Sequence, residues 1–236
     1  MIEDGIARPI GPRVKVLPAR RPARTTLQGR LVTLTPLDPV THSDALYEAT
    51  RGEPADQLWL YLFEGPFSNR ADFDSHLQRA AASEDPMFFA IVDRAAARAA
   101  GYAAYMRIEP AHRVIEVGSI LYTPRLQRTP LATEAMYLMA RHIFEDLGYR
   151  RYEWKCNALN APSRKAALRF GFTFEGIFRQ HMIVKGRNRD TAWFSMLDSE
   201  WPARKASFER WLDASNFGPD GRQKIALSAL NDLSGV

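Results

Sequence analysis

The chain has 236 residues, 46% hydrophobic and 25% charged, with a formal net charge of +5 at pH 7. That balance supports one globular domain with appendages and a sizeable core, and it excludes a low-complexity or fibrous chain. The single cysteine, Cys156, excludes an intrachain disulfide and a cysteine-based zinc site of the usual kind, so no metal is expected. The basic excess favours anionic partners. No basic tract is interleaved with aromatics, so nucleic acid is not an expected partner. No uninterrupted apolar run spans a bilayer and the N-terminus lacks a signal-peptide core, so no membrane is expected and a cytoplasmic location is.

Residues 1–28 are rich in proline and arginine, with Pro9, Pro12, Pro18 and Pro22, which argues against a helix. Two readings stay open: an extended tail docked through Val14, Val16 and Leu17, or a disordered one. Residues 30–37 alternate, Leu31, Thr33 and Thr35 against Val32 and Leu34, and read as the first strand. Residues 41–51 read as a helix with Thr41 as its cap. Residues 53–63 add the aromatics Trp59, Tyr61 and Phe63. Residues 69–83 read as a second helix with Phe73, Leu77 and Ala80 inward. Strands over 87–93 and 99–109 form a hairpin through residues 94–98, and a strand over 113–122 completes an antiparallel meander.

Residues 114–172 carry the strongest pattern. An apolar strand over 114–122 runs into a polar loop over 123–129. A helix follows, with Ala132, Met136, Met139, Ile143 and Leu147 at spacings of three and four and Gly148 at its end. A strand over 151–156 and a helix from near Asn160 to before Gly171 complete a βαβ unit. Strands over 173–184 and 191–198 come next, joined by a turn at Lys185-Gly186-Arg187-Asn188-Arg189. A helix over 203–214 has the face Phe208, Trp211 and Leu212, and a last helix covers 222–233. The divisions are therefore a tail over 1–28, a domain over 29–201 and a helical extension over 202–236.

The 123–129 loop carries a functional signal. A helix N-terminus exposes backbone N–H groups and a partial positive charge. Arg125 and Arg128 precede this one, and no acidic residue lies between Glu116 and Glu134. An anion such as a pyrophosphate suits it; a capped helix with two solvated arginines is the other reading.

The stretch resembles the acyl-CoA-binding core of GNAT acyltransferases, whose motif is Gln/Arg-x-x-Gly-x-Gly/Ala. Gln127-Arg128-Thr129-Pro130-Leu131-Ala132 matches at Gln127 and Ala132 and departs at Pro130. Thr133-Glu134-Ala135, Asn160-Ala161-Pro162-Ser163 and Gly171-Phe172 match the branch of ribosomal-protein N-terminal (alanine/serine) acetyltransferases. The resemblance covers residues 28–201. It implies an α+β, α/β/α-layered fold: a mixed, mostly antiparallel sheet of about seven strands with a splayed parallel pair, flanked by helices. It implies acetyl-CoA as co-substrate, and as acceptor a small-molecule amine or a peptide N-terminus. A homodimer is a further expectation. The alternative function is a degenerate GNAT domain that binds acyl-CoA or a partner without catalysis.

Acetyl transfer from a thioester to an amine requires proximity, loss of the amine proton, and stabilisation of the oxyanion and departing thiolate. By resemblance, pantetheine pairs with backbone at Ile120, Leu121 and Tyr122, and the pyrophosphate sits on Gln127, Arg128, Thr129, Leu131, Ala132 and Thr133. Pro130 fits the first helical turn, where its missing N–H costs no helical bond. Asn160 meets the pantetheine arm or caps its helix. Glu116 is the only carboxylate in the central strand and is the first candidate base; its alternative is an ion pair with Arg113 or another arginine. His181 and His112 are further candidates, because histidine titrates near neutral pH. The tyrosine that many relatives use as acid falls on Ala167, so Ser163 is the candidate that meets the thiol; its alternative is a cap for the Ala166 or Ala167 amides. Lys165 and Arg169 assist the phosphates or are solvated. Trp59 and Tyr61 line an acceptor pocket or pack between helices.

Overall fold

The computed structural model describes residues 10–14 and 17–233. Among them, alternation builds the first strands: β1 is Leu27–Gln28 and β2 is Val32–Pro36, with Val32 and Leu34 buried. Helix α1, Pro39–Thr50, a short α2, Glu53–Asp56, and α3, Arg70–Ala82, follow. Then come β3 (Met87–Asp93), β4 (Arg98–Glu109), β5 (Val114–Tyr122), α4 (Pro130–Arg141), β6 (Arg151–Asn157) and α5 (Ala161–Arg169). The chain continues through β7 (Thr173–Val184), β8 (Arg187–Leu197), α6 (Trp201–Leu212) and α7 (Leu227–Leu233). The strands form one eight-stranded sheet in the order β1-β2-β3-β4-β5-β6-β8-β7. Only β5 and β6 run parallel; the other neighbours are antiparallel.

The layered α+β architecture is as expected, with β1 an additional strand. Both faces of the sheet are covered, so β3 is almost wholly apolar. Phe88 and Ala90 face one core with Leu46, Trp59, Phe73 and Leu77 of the α1–α3 region. Met87, Phe89 and Ile91 face the other with Met136, Met139 and Ile143, and with Phe208 and Trp211 of α6. The C-terminal helix α6 thus shares the main core.

Several local readings shift. Asp38, not Thr41, caps α1: its carboxylate accepts the Val40 N–H at 3.0 Å and the Thr41 hydroxyl at 2.6 Å. The β7–β8 turn is only Lys185 and Gly186, both at positive φ, so Arg187, Asn188 and Arg189 belong to β8. In the tail, Val14 and Leu17 are exposed, and Val16 lies outside the described residues. Ala19 docks instead, its N–H donating to Pro110 O at 2.9 Å, while Arg21 and Arg24 donate to the carbonyls of Glu84 and Ser83. Helix α4 continues into a π-type turn, His142–Asp146, and closes at Gly148 with φ 79°.

Glu134 ties α4 to the sheet edge. Its buried carboxylate accepts the N–H groups of Arg30, Leu31 and Val32 at 3.1, 2.6 and 2.8 Å. Gly29 permits this approach, because a Cβ there would lie 2.5 Å from Glu134 Oε2. Glu134→Ala strands these donors and should cost about 2–4 kcal/mol, or roughly 5–10 °C in Tm. Thermal unfolding checks this; a loss under about 2 °C would mean that the loop amides find other partners.

Candidate functional site

The site begins where two strands part. The β5–β6 register runs from Val114↔Arg151 to Val117↔Trp154 and stops there, although both strands continue. On the other side of β5, Tyr102 pairs with Leu121 and Ala104 with Gly118, so two residues, Ser119 and Ile120, oppose one. Ser119 sits at φ 47°, the positive φ of a bulge that bends its strand. The bend leaves Gly118–Tyr122 without a strand partner on the β6 side among the described residues, with the Tyr122 carbonyl taken by the Gln127 side chain, and an extended chain can use the rest of that edge.

A cleft of about 1510 Å³ opens at this gap. It brings together Glu116, Ile120, Tyr122, Gln127, Arg128, Thr129, Ala132, Thr133, Asn160, Ser163, His181 and Tyr61 from the residues singled out in the sequence. It does not include Leu121 or Leu131. Trp59 is 1% exposed and packs edge-on against Phe67 and Phe73 in the α1–α3 core, so it does not line the cleft as expected. Tyr61 does, with its hydroxyl donating to Leu159 O at 3.3 Å. His112 is exposed in a turn outside the cleft.

Glu116 is the only carboxylate lining the cleft among the described residues. It is 4% exposed, and its Oε2 meets both Lys155 Nζ and Arg107 Nε at 2.9 Å. Of the arginine partners weighed from the sequence, Arg113 binds the Gly148 carbonyl, and Arg107 is the arginine that pairs with Glu116. Burial pushes the Glu116 carboxyl above its ordinary range despite these cations. Lys155 also meets Glu153 at 2.6 Å and lies 4.1 Å from the Trp193 ring centroid. His181 holds Thr191 Oγ1 at 2.9 Å through Nδ1; burial, then Arg107, Arg189 and Lys155, lower its basicity.

Ser163 caps nothing with its hydroxyl. Its N–H donates to Asn160 Oδ1 at 3.1 Å, so Asn160 is the cap, while Ser163 Oγ accepts the Trp154 indole N–H at 3.0 Å. The oxygen therefore sits at the cleft wall on β6, next to Cys156, whose thiol burial pushes up.

The α4 N-terminus closes the other end. Thr129 caps it, accepting the Ala132 N–H at 3.4 Å, and Pro130 occupies the first turn. Gln127 Nε2 donates to Tyr122 O at 2.9 Å and holds the loop against β5. Arg125 is withdrawn: it pairs with Asp93 at 3.0 Å and does not line the cleft. Arg169 takes the inner position. Its guanidinium reaches Thr133 Oγ1 at 3.1 Å and lies 4.8 Å from the Trp211 ring centroid. From the sequence, Arg169 and Lys165 of α5 either assist the phosphates or are solvated; the contact with Thr133 turns Arg169 toward the α4 N-terminus. No group of His, Cys, Asp and Glu among the described residues is arranged to hold a metal ion. No helix among them is long and apolar enough to cross a membrane.

Comparison with known proteins places this geometry. The family model of the acetyltransferase (GNAT) domain matches residues 32–173. A GCN5-related N-acetyltransferase from Brucella melitensis is 52% identical, with a TM-score of 0.90, over 92% of this chain and 98% of that one. A "probable" GNAT-family acetyltransferase from Chromobacterium violaceum is 41% identical, with a TM-score of 0.75, over 84% of this chain and 100% of its own. The Salmonella typhimurium acetyltransferase that modifies the N-terminal serine of ribosomal protein L7/L12 shares the fold at 19% identity, with a TM-score of 0.63, over 73% and 99% of the two chains. No curated protein matches the chain.

His181 yields a pH prediction. Its folded pKa lies below the ordinary 6.5, so the unfolded chain binds this proton more readily than the folded one. Its contribution to stability should therefore fall as pH drops from about 6.5 toward its folded pKa. Ring resonances followed by NMR should titrate below 6.5, and His181→Gln should remove that share of the acid destabilisation. A midpoint above 6.5 would contradict the electrostatic picture of the cleft.

Proposed function

Since the chain belongs to the GNAT family of acetyltransferases, we propose that its cleft moves an acetyl group from acetyl-CoA to the primary amine of a small molecule or a peptide N-terminus, by direct attack in a ternary complex. The observation that carries the reading is the end of β5–β6 pairing at Val117↔Trp154 inside a cleft lined by Glu116. The pantetheine arm takes the unpaired edge at Gly118–Tyr122. The pyrophosphate takes the α4 N-terminus with help from Arg169 and Arg128.

The amine nitrogen attacks the thioester carbon, the amine proton leaves to Glu116 directly or through water, the C–S bond breaks, and the thiolate takes a proton. Lys155 and Arg107 hold the Glu116 carboxylate through Oε2 and leave Oε1 for the proton. Ser163 is the hydroxyl proposed to meet the thiol; its oxygen accepts the Trp154 N–H while the hydroxyl also hydrogen-bonds the Cys156 thiol, so it must turn from Cys156 to reach the departing sulfur. His181 is the second candidate base. The acceptor pocket includes Tyr61, and the enzyme is proposed to work in the cytoplasm.

Thiol release from acetyl-CoA against a panel of amines and peptides tests the activity; no release with any acceptor would favour a domain that binds without catalysis. Glu116→Gln should lower turnover by about 10²–10⁴ with acetyl-CoA affinity nearly unchanged. The acid limb of kcat/KM should lie above the ordinary carboxylate pKa of 4.5 and vanish in that variant. Wild-type turnover in Glu116→Gln would move the role to His181.

Calorimetric titration with CoA separates the arginines. Arg169→Gln should weaken binding by about tenfold or more, whereas Arg125→Gln should leave it within about threefold. Equal losses would place the phosphates on the outer loop.

A further inference from the structure

Around Glu116 the charges pair with one another, and Arg189 is the exception. Arg107 and Lys155 meet Glu116, Lys155 meets Glu153, and Arg151 meets Glu153 and Glu175. Arg189 meets no carboxylate among the described residues. It lies in β8 opposite Met182, lines the cleft, and is only 7% exposed. Its Nε is buried without a hydrogen-bond partner. Among the described residues its head lies over the face of Phe63, whose ring centroid is 5.0 Å from the guanidinium carbon. Burial lowers its basicity, and nearby Cys156 and Glu116 offset that only in part.

A buried guanidinium without a counter-ion is costly, and removing it from water is justified when a ligand supplies the anion. Arginine suits a carboxylate because its planar fork matches the two oxygens. Phe63, beside it, gives the same pocket an apolar wall. Glu116 lines the same cleft and suits an ammonium group. One anionic and one cationic anchor in one cleft match a molecule that bears both charges.

We propose that Arg189 is the acceptor-carboxylate anchor, and that the acceptor is an amino-acid-like molecule carrying a carboxylate close to the amine that is acetylated. This rests on the acetyltransferase reading above. Arg189 binds the carboxylate and the amine is presented toward Glu116. Amines of the same shape lacking the acid leave the guanidinium unpaired and are disfavoured.

The test uses the full chain and matched sets of acceptors: free amino acids, their amides, the corresponding decarboxylated amines, and short peptides bearing an N-terminal aspartate or glutamate. The free acid should exceed its amide in kcat/KM by about tenfold or more, chiefly through KM. Arg189→Gln should erase that preference and leave the KM for acetyl-CoA unchanged, while Arg189→Lys should restore it in part. If the acidic peptides keep the preference and free amino acids do not, the carboxylate is a side chain and the free-amino-acid form is overturned. Equal use of acid and amide by the wild type overturns the proposal outright. CoA titration of each variant reports on folding and on the cofactor site. If CoA binds but no amine reacts, calorimetry of N-acetylated amino acids against their amides on the CoA-loaded protein still decides: selective binding of the acids, lost in Arg189→Gln, supports the anchor, and indifference overturns it.

Discussion

Two carboxylates stand directly opposite each other at the point where the parallel strands are about to separate. Glu116 on β5 and Glu153 on β6 are register partners, one rung before pairing ends at Val117↔Trp154. Like charges at paired positions repel. Lys155, 4% exposed at its side chain, lies between them and meets both, and its ammonium rests on the Trp193 ring. Arg107 and Arg151 neutralise the outer sides. The alternating row of charges satisfies an arrangement that neither strand could hold alone. It also keeps a carboxylate ionisable beside a hydrophobic sheet.

The separation that follows has a backbone cause. The extra residue of β5 at Ser119 and Ile120 bends the strand away from β6 while its pairing with β4 resumes at Tyr102↔Leu121. Gly101 on β4 makes room for this course, since a Cβ there would sit 2.3 Å from Leu121 O. A charged row, a bulge and a small residue together convert two neighbouring strands into a groove.

What was legible in the sequence was what local periodicity controls. The α4 stripe, its Gly148 end and the Asn160 cap follow from spacing and end chemistry, and they place the βαβ unit. The charges were not legible, because their partners are distant in the chain. Arg125 looked available until β3 brought Asp93 to it, and Glu116 finds Lys155 and Arg107 rather than its sequence neighbour Arg113. Of the two readings open for Trp59, cleft lining and packing between helices, the second holds, because a large ring amid Phe67 and Phe73 gains more from burial. Arg189 was hidden in an apparent five-residue turn of glycine and polar residues. The tight two-residue turn extends β8 and carries it inside.

The C-terminal segment has a part in the site that the motif-bearing stretch does not reveal. Trp211, Phe217 and Gln223 line the cleft at the Arg169 end. Trp211 is fixed by its indole N–H donating to Gln223 at 2.7 Å and by the edge of Phe217. Its ring and that of Phe170 lie against the Arg169 guanidinium, and burial lowers that group's basicity. Arg169 in turn donates to Thr133 in the first turn of α4, so it is aimed at the helix N-terminus rather than at solvent. A cation in such a place interacts with an anion more strongly than a solvated one does. Residues 202–233 therefore do more than cover the sheet: by drying one side of Arg169, they set the strength of the positive end of the cleft.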